Sequence, residues 1–378
     1  MPATLKLQLV KKRLHFKFKA GTSRGWYETR DVAYVCLIQE EGKIRTLLGV
    51  GEAAPLPKLS PEWPQGKSFD DYVATLTPLI AQAEAYLPAW LDDPAPIPPL
   101  TELEHALRGH SALRFALETA ILQAKAGSFA LFDSPFARGQ SAITINGLIW
   151  MGDFALMRQR IEEKLSQGFN CLKLKIGAIN FKQELELLAL IRQEFDATKL
   201  TLRVDANGAF SPHEAMDKLE QLARFDLHSI EQPIKAGQWQ TLAHLCKQSP
   251  IPIALDEELI AQEGTQRVRL LESVKPQFLV LKPSLHGGLS GAMHYLQLAA
   301  DFKLGAWMTS ALESSIGLNA IAQFIGYRQL SGFQGLGTGQ LFTDNLPFPV
   351  LCLDGQNMRF DRSKINAIDP KSYLNYVP

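Results

Sequence analysis

From about residue 142 onward, the chain repeats one unit, in which a short apolar run is followed by a segment with helical spacing. The unit occurs eight times, with apolar runs at 142–150, 171–176, 200–204, 228–230, 251–255, 278–281, 305–308 and 333–336. Strands that alternate with helices pair in parallel through crossover connections. Eight units in about 200 residues therefore predict a (β/α) barrel rather than an open doubly wound sheet.

The first part of the chain follows a different pattern. Apolar and polar residues alternate within residues 3–50, which predicts an antiparallel meander. Helical spacing follows at about 70–87 and at 103–126, with a proline-rich connector between them. At 378 residues the chain exceeds the usual size of a single core, so we expect a smaller α+β domain beside the barrel. The last segment, from about Leu351, is expected to return to that domain.

Charge and cysteine content indicate which partners and which cellular location to expect. Lys+Arg and Asp+Glu both total 39, so no net field favours nucleic acid or an anionic membrane as a partner. The four cysteines are far apart and form no C-x-x-C pair, which is typical of buried thiols in a reducing compartment. Neither a leader pattern nor an apolar run of about 18 residues is present, so the cytoplasm is the expected location.

Three carboxylates occupy equivalent places in successive barrel units. Asp205, Glu231 and Asp256 each follow an apolar run and are separated by 26 and 25 residues, about one unit each. Taken singly, none of them indicates a metal ligand. Asp205 is typical of a turn, Glu231 of a strand end and Asp256 of a helix start. Together they converge at the C-terminal face of a barrel, where they would repel one another without a cation. A site of oxygen ligands suits Mg²⁺ or Mn²⁺ better than Zn²⁺.

Lysines flank this acidic centre. Lys173 and Lys175 are two residues apart in a strand-like run and therefore point to the same face, and Lys282 ends the sixth run. An isolated K-x-K pair is more typical of a solvated edge strand. Beside three carboxylates it suits removal of a proton next to a substrate carboxylate, with a lysine whose pKa is lowered by its cationic neighbour acting as base.

The assembled motifs resemble those of the enolase superfamily, in its muconate lactonizing enzyme subgroup. They are Lys173-x-Lys175, Asp205-Ala206-Asn207, Glu231-Gln232-Pro233, Asp256-Glu257, Lys282-Pro283 with Gly287-Gly288, and Glu313-Ser314-x-x-Gly317. Within that subgroup, the segments 145–150, 309–314 and 335–345 resemble the o-succinylbenzoate synthase family.

The resemblance implies a modified (β/α)7β TIM-like barrel of residues 131–349, covered by an α+β capping domain of residues 1–130 joined by 350–378. It implies Mg²⁺, with Mn²⁺ as an alternative, held by Asp205, Glu231 and Asp256. Lys175 would be the base, Lys173 would tune it and Lys282 would stabilise an enolate. The implied substrate contacts are Arg203, Asn207, Thr309, Ser310 and Glu313. The loops 21–26 and 49–54 would close over the substrate.

The implied activity is that of a lyase acting on a small carboxylate. It is the syn dehydration of 2-succinyl-6-hydroxy-2,4-cyclohexadiene-1-carboxylate to 2-succinylbenzoate, in menaquinone and phylloquinone biosynthesis. The same residues would also serve an N-succinylamino acid racemase or a dipeptide epimerase, so the motifs leave that alternative open. A non-catalytic binding protein of the same fold is disfavoured because the set of lysines and carboxylates is complete.

Overall fold

The computed structural model describes residues 3–22, 25–63, 66–177, 179–337 and 341–374, without the side chains of 19–22, 25 and 26. Its N-terminal part is an antiparallel sheet in the order β1-β2-β3, with strands Thr4–Thr22, Gly25–Glu41 and Ile44–Ala53. This confirms the meander. The apolar runs 5–10 and 14–18 lie in the single strand β1, whose register shifts between His15 and Ala20.

Three helices pack beside this sheet, namely α1 (Phe69–Glu84), α2 (Leu87–Asp92) and α3 (Ser111–Ala126). Helix α1 begins at a capping box in which Ser68 and Asp71 bond each other's backbone N–H. Helix α3 lies directly on β3, because a Cβ at Gly49 or Gly51 would lie 2.0 or 1.8 Å from the carbonyl oxygens of Ala120 and Ala116. The segment 49–54, expected as a loop, lies mostly in β3, which ends at Ala53. Glycine is required at two positions of this strand because the backbone of α3 is so close.

The second sheet is parallel and curled, in the order β11-β10-β9-β8-β7-β6-β5. A short strand, β4 (Ala142–Thr144), precedes its members, which are β5 (Gly147–Ile149), β6 (Cys171–Lys175), β7 (Thr201–Asp205), β8 (Ser229–Glu231), β9 (Ile253–Leu255), β10 (Phe278–Leu281) and β11 (Gly305–Met308). The helices that follow are α4 (Phe154–Ser166), α5 (Phe181–Glu194), α6 (Ala215–Ala223), α7 (Trp239–Gln248), α8 (Thr265–Val274), α9 (Gly288–Asp301) and α10 (Ser315–Arg328).

Two of the eight predicted runs differ from simple barrel strands. The run 142–150 is divided, because β4 pairs in a separate antiparallel sheet while β5 joins the parallel one. The run 333–336 is reduced to two isolated bridges, in which Gln334 pairs with Ile145 and Gly335 with Thr309. These bridges connect the chain beside β5 to the chain after β11, so they link the two edges of the curled sheet.

The C-terminal segment contacts both parts of the molecule. Strands β12 (Leu351–Asp354) and β13 (Asn357–Phe360) form the third sheet with β4, and a last short helix, α11, spans Pro370–Tyr373. The Tyr373 hydroxyl lies 3.2 Å from that of Tyr34 on β2, and Lys12 Nζ donates to the Tyr373 carbonyl at 2.8 Å. The domain limits near residues 130 and 350 stay predictions.

All four cysteines are free, and three of them are buried as expected, whereas Cys352 is half-buried. Among the described residues, no helix combines the length and the apolar character needed to cross a bilayer.

Candidate active site

Strand register brings the predicted acidic and basic residues to one edge of the parallel sheet. Lys175 pairs with Asp205, and Asp205 pairs with Glu231, across β6, β7 and β8. Asp256 and Lys282 directly follow β9 and β10. Because the strands are parallel and adjacent, residues one unit apart in sequence become neighbours in space.

Two lysines share a single carboxylate oxygen. The Nζ atoms of Lys173 and Lys175 both lie 3.0 Å from Oδ2 of Asp205. Lys173 also lies 2.6 Å from Oε2 of Glu231, and Lys175 donates to Oδ1 of Asn207 at 2.8 Å. The prediction that the K-x-K pair faces the carboxylates rather than solvent is borne out by these contacts.

Local backbone geometry explains why Asn207 follows Asp205. The chain turns sharply after β7, and Asn207 and Gly208 both have positive φ, at 45° and 74°. Asparagine and glycine are the residues that most readily adopt this left-handed conformation. The turn-like sequence after Asp205 therefore is a turn, and it also directs the Asn207 side chain toward Lys175.

The electrostatics of the lysines differ from the sequence expectation. Burial disfavours the charged form of Lys173, but Asp205 and Glu231 outweigh burial and raise its pKa well above the ordinary value. Burial acts in the same way on Lys282, whose pKa is raised by Asp256 and other acids. The expectation that a cationic neighbour lowers the pKa of Lys173 is therefore wrong, since its nearest charges are carboxylates, and the expectation for the base Lys175 stays a prediction.

The carboxylates have divergent pKa values. Burial alone would raise the pKa of Asp205, but Lys173 and Lys175 hold it far below its usual range. Burial, reinforced by the negative charge of Asp205, raises the pKa of Glu231 well above its usual value. The pKa of Asp256 is lowered because Lys282 outweighs its burial. The mutual repulsion predicted for these carboxylates is thus visible at Glu231.

The donor set suits a hard divalent cation. Oε1 of Glu231 and Oδ1 of Asp256 are buried and accept no hydrogen bond within the described residues. Their other oxygens are engaged by Lys173 and Lys282. In the same described ranges no three His, Cys, Asp or Glu side chains are already arranged around a common metal position. Coordination of a cation by Asp205, Glu231 and Asp256 therefore requires their side chains to rearrange. All three supply the carboxylate oxygens that a hard cation prefers.

A partly open cavity of about 100 Å³ lies over this cluster. The charged residues that line it are Lys173, Lys175, Asp205, Glu257 and Lys282. Its other walls are largely apolar and come from both halves of the chain, including Tyr27, Leu56, Leu59, Leu148, Trp150, Trp307, Ala311 and Leu312. An apolar cavity with a few convergent polar groups is the usual form of a small-molecule site.

Three of the five predicted substrate contacts, Asn207, Thr309 and Ser310, line the cavity, and two lie behind its wall. Arg203 lies 4.0 Å from the ring of Trp307 and donates to the Phe333 carbonyl at 2.9 Å. Glu313 accepts from the Ser284 hydroxyl at 2.5 Å and from the Ala311 N–H at 2.6 Å. Both side chains support residues that face the cavity.

Sequence reasoning missed most of the apolar wall. Asn146 and Trp150 line the cavity and lie in the segment 145–150, but they are not among the predicted contacts. Tyr27, Leu56 and Leu59 carried no signal, because apolar residues in the first third of the chain are indistinguishable from core residues by pattern alone. Part of the predicted segment 335–345, residues 338–340, and part of the predicted loop 21–26, residues 23 and 24, lie outside the described residues.

Comparison with known proteins identifies the family. Residues 156–343 match the family described as "Enolase C-terminal domain-like". The o-succinylbenzoate synthase of Desulfotalea psychrophila is 44% identical over 369 residues, which cover 93% of this chain and 98% of the relative. The chain belongs to the o-succinylbenzoate synthase family of the enolase superfamily.

Solved structures agree with this family membership. The crystal structure of MenC from Desulfotalea psychrophila has a TM-score of 0.80 and 40% identity, and the match covers 94% of this chain and 99% of that one. A dipeptide epimerase from Enterococcus faecalis, complexed with Mg and L-Leu-L-Tyr, shares the fold at 19% identity. Its TM-score is 0.75, with 96% of this chain and 98% of that chain covered. The predicted barrel with a capping domain is confirmed as the fold class.

Proposed function

We propose that this protein is a lyase that dehydrates 2-succinyl-6-hydroxy-2,4-cyclohexadiene-1-carboxylate to 2-succinylbenzoate, a step of menaquinone and phylloquinone biosynthesis. The observation that carries the proposal is 44% identity to an o-succinylbenzoate synthase across 93% of the chain. The lysines and carboxylates at the strand ends supply the groups that this reaction needs.

Lys175 is the general base in this proposal. Its side chain is 13% exposed and lines the cavity, so its Nζ can reach a substrate while it remains bonded to Asn207. In its neutral form, Lys175 takes the proton from the carbon next to the substrate carboxylate. The resulting ammonium then gives that proton to the hydroxide that leaves from the same face. Water and an aromatic ring are the products, and the base is regenerated.

Asp205, Glu231 and Asp256 would hold a divalent cation, Mg²⁺ or alternatively Mn²⁺. Enolase superfamily members use Mg²⁺ in general, and the unpartnered buried oxygens of Glu231 and Asp256 are suitable donors. When bound, the cation neutralises the negative charge that collects on the substrate carboxylate. It would also take over part of the charge neutralisation that Lys173 and Lys282 provide to these carboxylates.

Lys173 and Lys282 act as fixed cations. Lys173 is held between Asp205 and Glu231, next to the base, and is proposed to tune it. Lys282 enters the cavity from β10, four strands away from β6, and stabilises the enolate electrostatically.

Substrate contacts are proposed for the polar residues that face the cavity, Asn207, Thr309 and Ser310. Arg203 and Glu313 would contribute through Trp307 and Ala311, which they contact. The apolar wall suits the cyclohexadiene ring and the methylene groups of the succinyl chain.

One observation favours racemase or epimerase chemistry as a second candidate. Lys175 and Lys282 both line the cavity, and they enter it from strands on different sides of the carboxylates. Two lysines on opposite faces of a carbon could exchange its proton in either direction. The racemisation of N-succinyl amino acids, or the epimerisation of dipeptides, therefore needs a direct test.

The deciding experiment compares both activities in one preparation. The protein with MgCl₂ is given the cyclohexadiene substrate, and product formation is followed by ultraviolet absorbance and chromatography. In parallel it is given N-succinyl amino acids and dipeptides in deuterated water, and α-deuterium is followed by NMR. We expect dehydration to have the larger kcat/KM. Rapid α-deuterium exchange without dehydration would refute the lyase proposal.

A further inference from the structure

A buried ionic cluster lies behind the cavity wall, outside the set of lysines and carboxylates described above. Its members are Arg30 on β2, Glu52 on β3 and Glu313, which follows the cavity-lining residue Leu312. They are 3%, 0% and 1% exposed. Burial lowers the pKa of Arg30, and the negative charges of Glu313 and Glu52 oppose that shift. Two of the three charges come from the N-terminal sheet, although the cavity chemistry lies on the barrel.

The cluster binds the backbone of the chain after β11. Glu313 accepts the Ala311 N–H at 2.6 Å. Arg30 donates to the carbonyls of Ala311 and Leu312 at 3.4 Å each. Glu52 accepts the Ser314 N–H at 2.8 Å and the Gly317 N–H at 2.9 Å, at the start of α10. Backbone groups on both sides of Leu312 are therefore held by buried polar side chains.

Leu312 needs this support because its backbone is strained. Its φ is 66°, in the left-handed region that residues with a branched side chain seldom occupy. Such conformations persist where surrounding contacts over-determine them, and they concentrate at functional sites. Here the strained residue is 7% exposed and lines the cavity.

Arg30 also binds a second segment of the wall. Its guanidinium donates to the Pro55 carbonyl at 2.5 Å and to the Ala54 carbonyl. These carbonyls directly precede Leu56, which lines the cavity from the N-terminal half. One side chain therefore links two wall segments that are more than 250 positions apart in sequence. Lysine has a single ammonium group and cannot span both sets of carbonyls.

We propose that Arg30 and Glu52 are positioning residues for substrate binding, which act by fixing Leu312 and Leu56 in the cavity wall. The inference rests on the proposed function, because its kinetic test uses the same dehydration substrate. Replacement of either side chain removes its bonds to the backbone and is expected to widen or distort the wall, while it leaves Lys175 and the carboxylates in place.

Glu118 provides a matched control. It is also fully buried, and burial raises its pKa to about 7, as it does for Glu52. It also accepts from a helix N-terminus, through the Leu289 N–H at 2.5 Å and the Ser290 hydroxyl on α9. Neither Leu289 nor Ser290 lines the cavity. Glu118→Gln therefore perturbs a comparable set of buried hydrogen bonds at a helix N-terminus, and these bonds do not involve the cavity wall.

The experiment compares Arg30→Lys, Glu52→Gln and Glu118→Gln with the unaltered protein. Steady-state kinetics of dehydration should show KM raised about tenfold by Arg30→Lys and Glu52→Gln, with kcat changed less than about threefold, since uniform binding is lost. Glu118→Gln should lower Tm by a similar amount and leave KM within about twofold. Unchanged KM in both test variants, or an equal rise in Glu118→Gln, would overturn the proposal.

A second measurement does not depend on turnover. Amide hydrogen exchange of the 309–317 segment is followed by mass spectrometry in the absence of metal and substrate. We expect about tenfold faster exchange in Arg30→Lys and Glu52→Gln than in Glu118→Gln, because the Ala311 and Ser314 amides lose their fixed geometry. Equal exchange in all three variants refutes the positioning role even if the unaltered protein catalyses a different reaction. Absence of dehydration by the unaltered protein refutes the proposed function separately.

Discussion

The two sides of the cavity are built by different means. On the barrel side, charged residues follow consecutive parallel strands, so their meeting is a consequence of strand register. On the N-terminal side, Tyr27, Leu56 and Leu59 reach the cavity from separate segments that are held by buried contacts such as those of Arg30. The barrel side carries the chemical groups and the N-terminal side shapes the space in front of them.

The same contrast appears in the acids. On the barrel, Asp205 is surrounded by lysines, which hold its pKa far below its usual range despite burial. In the N-terminal part, burial prevails, and it raises the pKa values of Glu52 and Glu62 to about 7 and about 8. At Asp205 the lysine neighbours therefore preserve the charge, whereas burial disfavours the charged forms of Glu52 and Glu62. The following changes test whether the two sides separate in this way.

The largest effect is expected from Lys175→Ala. Loss of the general base should lower kcat by about 10²-fold to 10⁴-fold, while circular dichroism and Tm show a folded protein. The matched control is Lys199→Ala, a lysine whose side chain is 69% exposed and which pairs only loosely with Asp196. Near-normal turnover by Lys175→Ala would remove that residue from the base role.

Asp205→Asn should weaken divalent metal binding. We expect the Mg²⁺ concentration for half-maximal activity to rise at least about tenfold, because one anionic donor is lost. Calorimetric titration with Mn²⁺ gives a readout that is independent of turnover. Asp196→Asn, on the surface, is the control. An unchanged metal affinity would exclude Asp205 from the ligand set.

Leu56→Ala tests the N-terminal wall. Loss of apolar contact should raise KM about tenfold with little change in kcat, since a pocket contact of this size contributes roughly 1–3 kcal/mol. Leu353→Ala, at a residue that is 44% exposed on β12, should have no effect on KM. A fall in kcat with unchanged KM would show that this wall takes part in the chemistry, contrary to the separation inferred here.

The smallest effect concerns pH. Burial raises the pKa of Glu62 from 4.5 to about 8, and its bond from the Ala112 N–H opposes the shift only in part. The folded protein therefore keeps a proton that the unfolded chain has released, and stability falls as pH rises between these values. Glu62→Gln should reduce the loss of unfolding free energy between pH 6 and 8 by on the order of 1 kcal/mol.

Urea unfolding at the two pH values measures this difference. Glu186→Gln, at an exposed position, should leave the slope unchanged. The Glu62 proposal fails if the slope with Glu62→Gln equals that of the unaltered protein.

Much of the barrel could be predicted because spacing along the chain maps onto space through parallel strands. Asp205, Glu231 and Asp256 are separated by about one βα unit, and this alone places them at one sheet edge. The exceptions occur where a strand has a non-local partner. The run 142–150 was divided because β4 pairs with β13, more than 200 residues later.

The sequence by itself determined the charged groups, their order and their common edge, because each depends on local pattern and on neighbouring units. Tertiary structure alone decided that Arg203 and Glu313 support the wall instead of lining it, and that Leu56 and Leu312 line the same cavity. Those positions depend on packing between segments distant in sequence. The link from Arg30 to Leu312 spans 282 positions, and no periodicity within the chain encodes it.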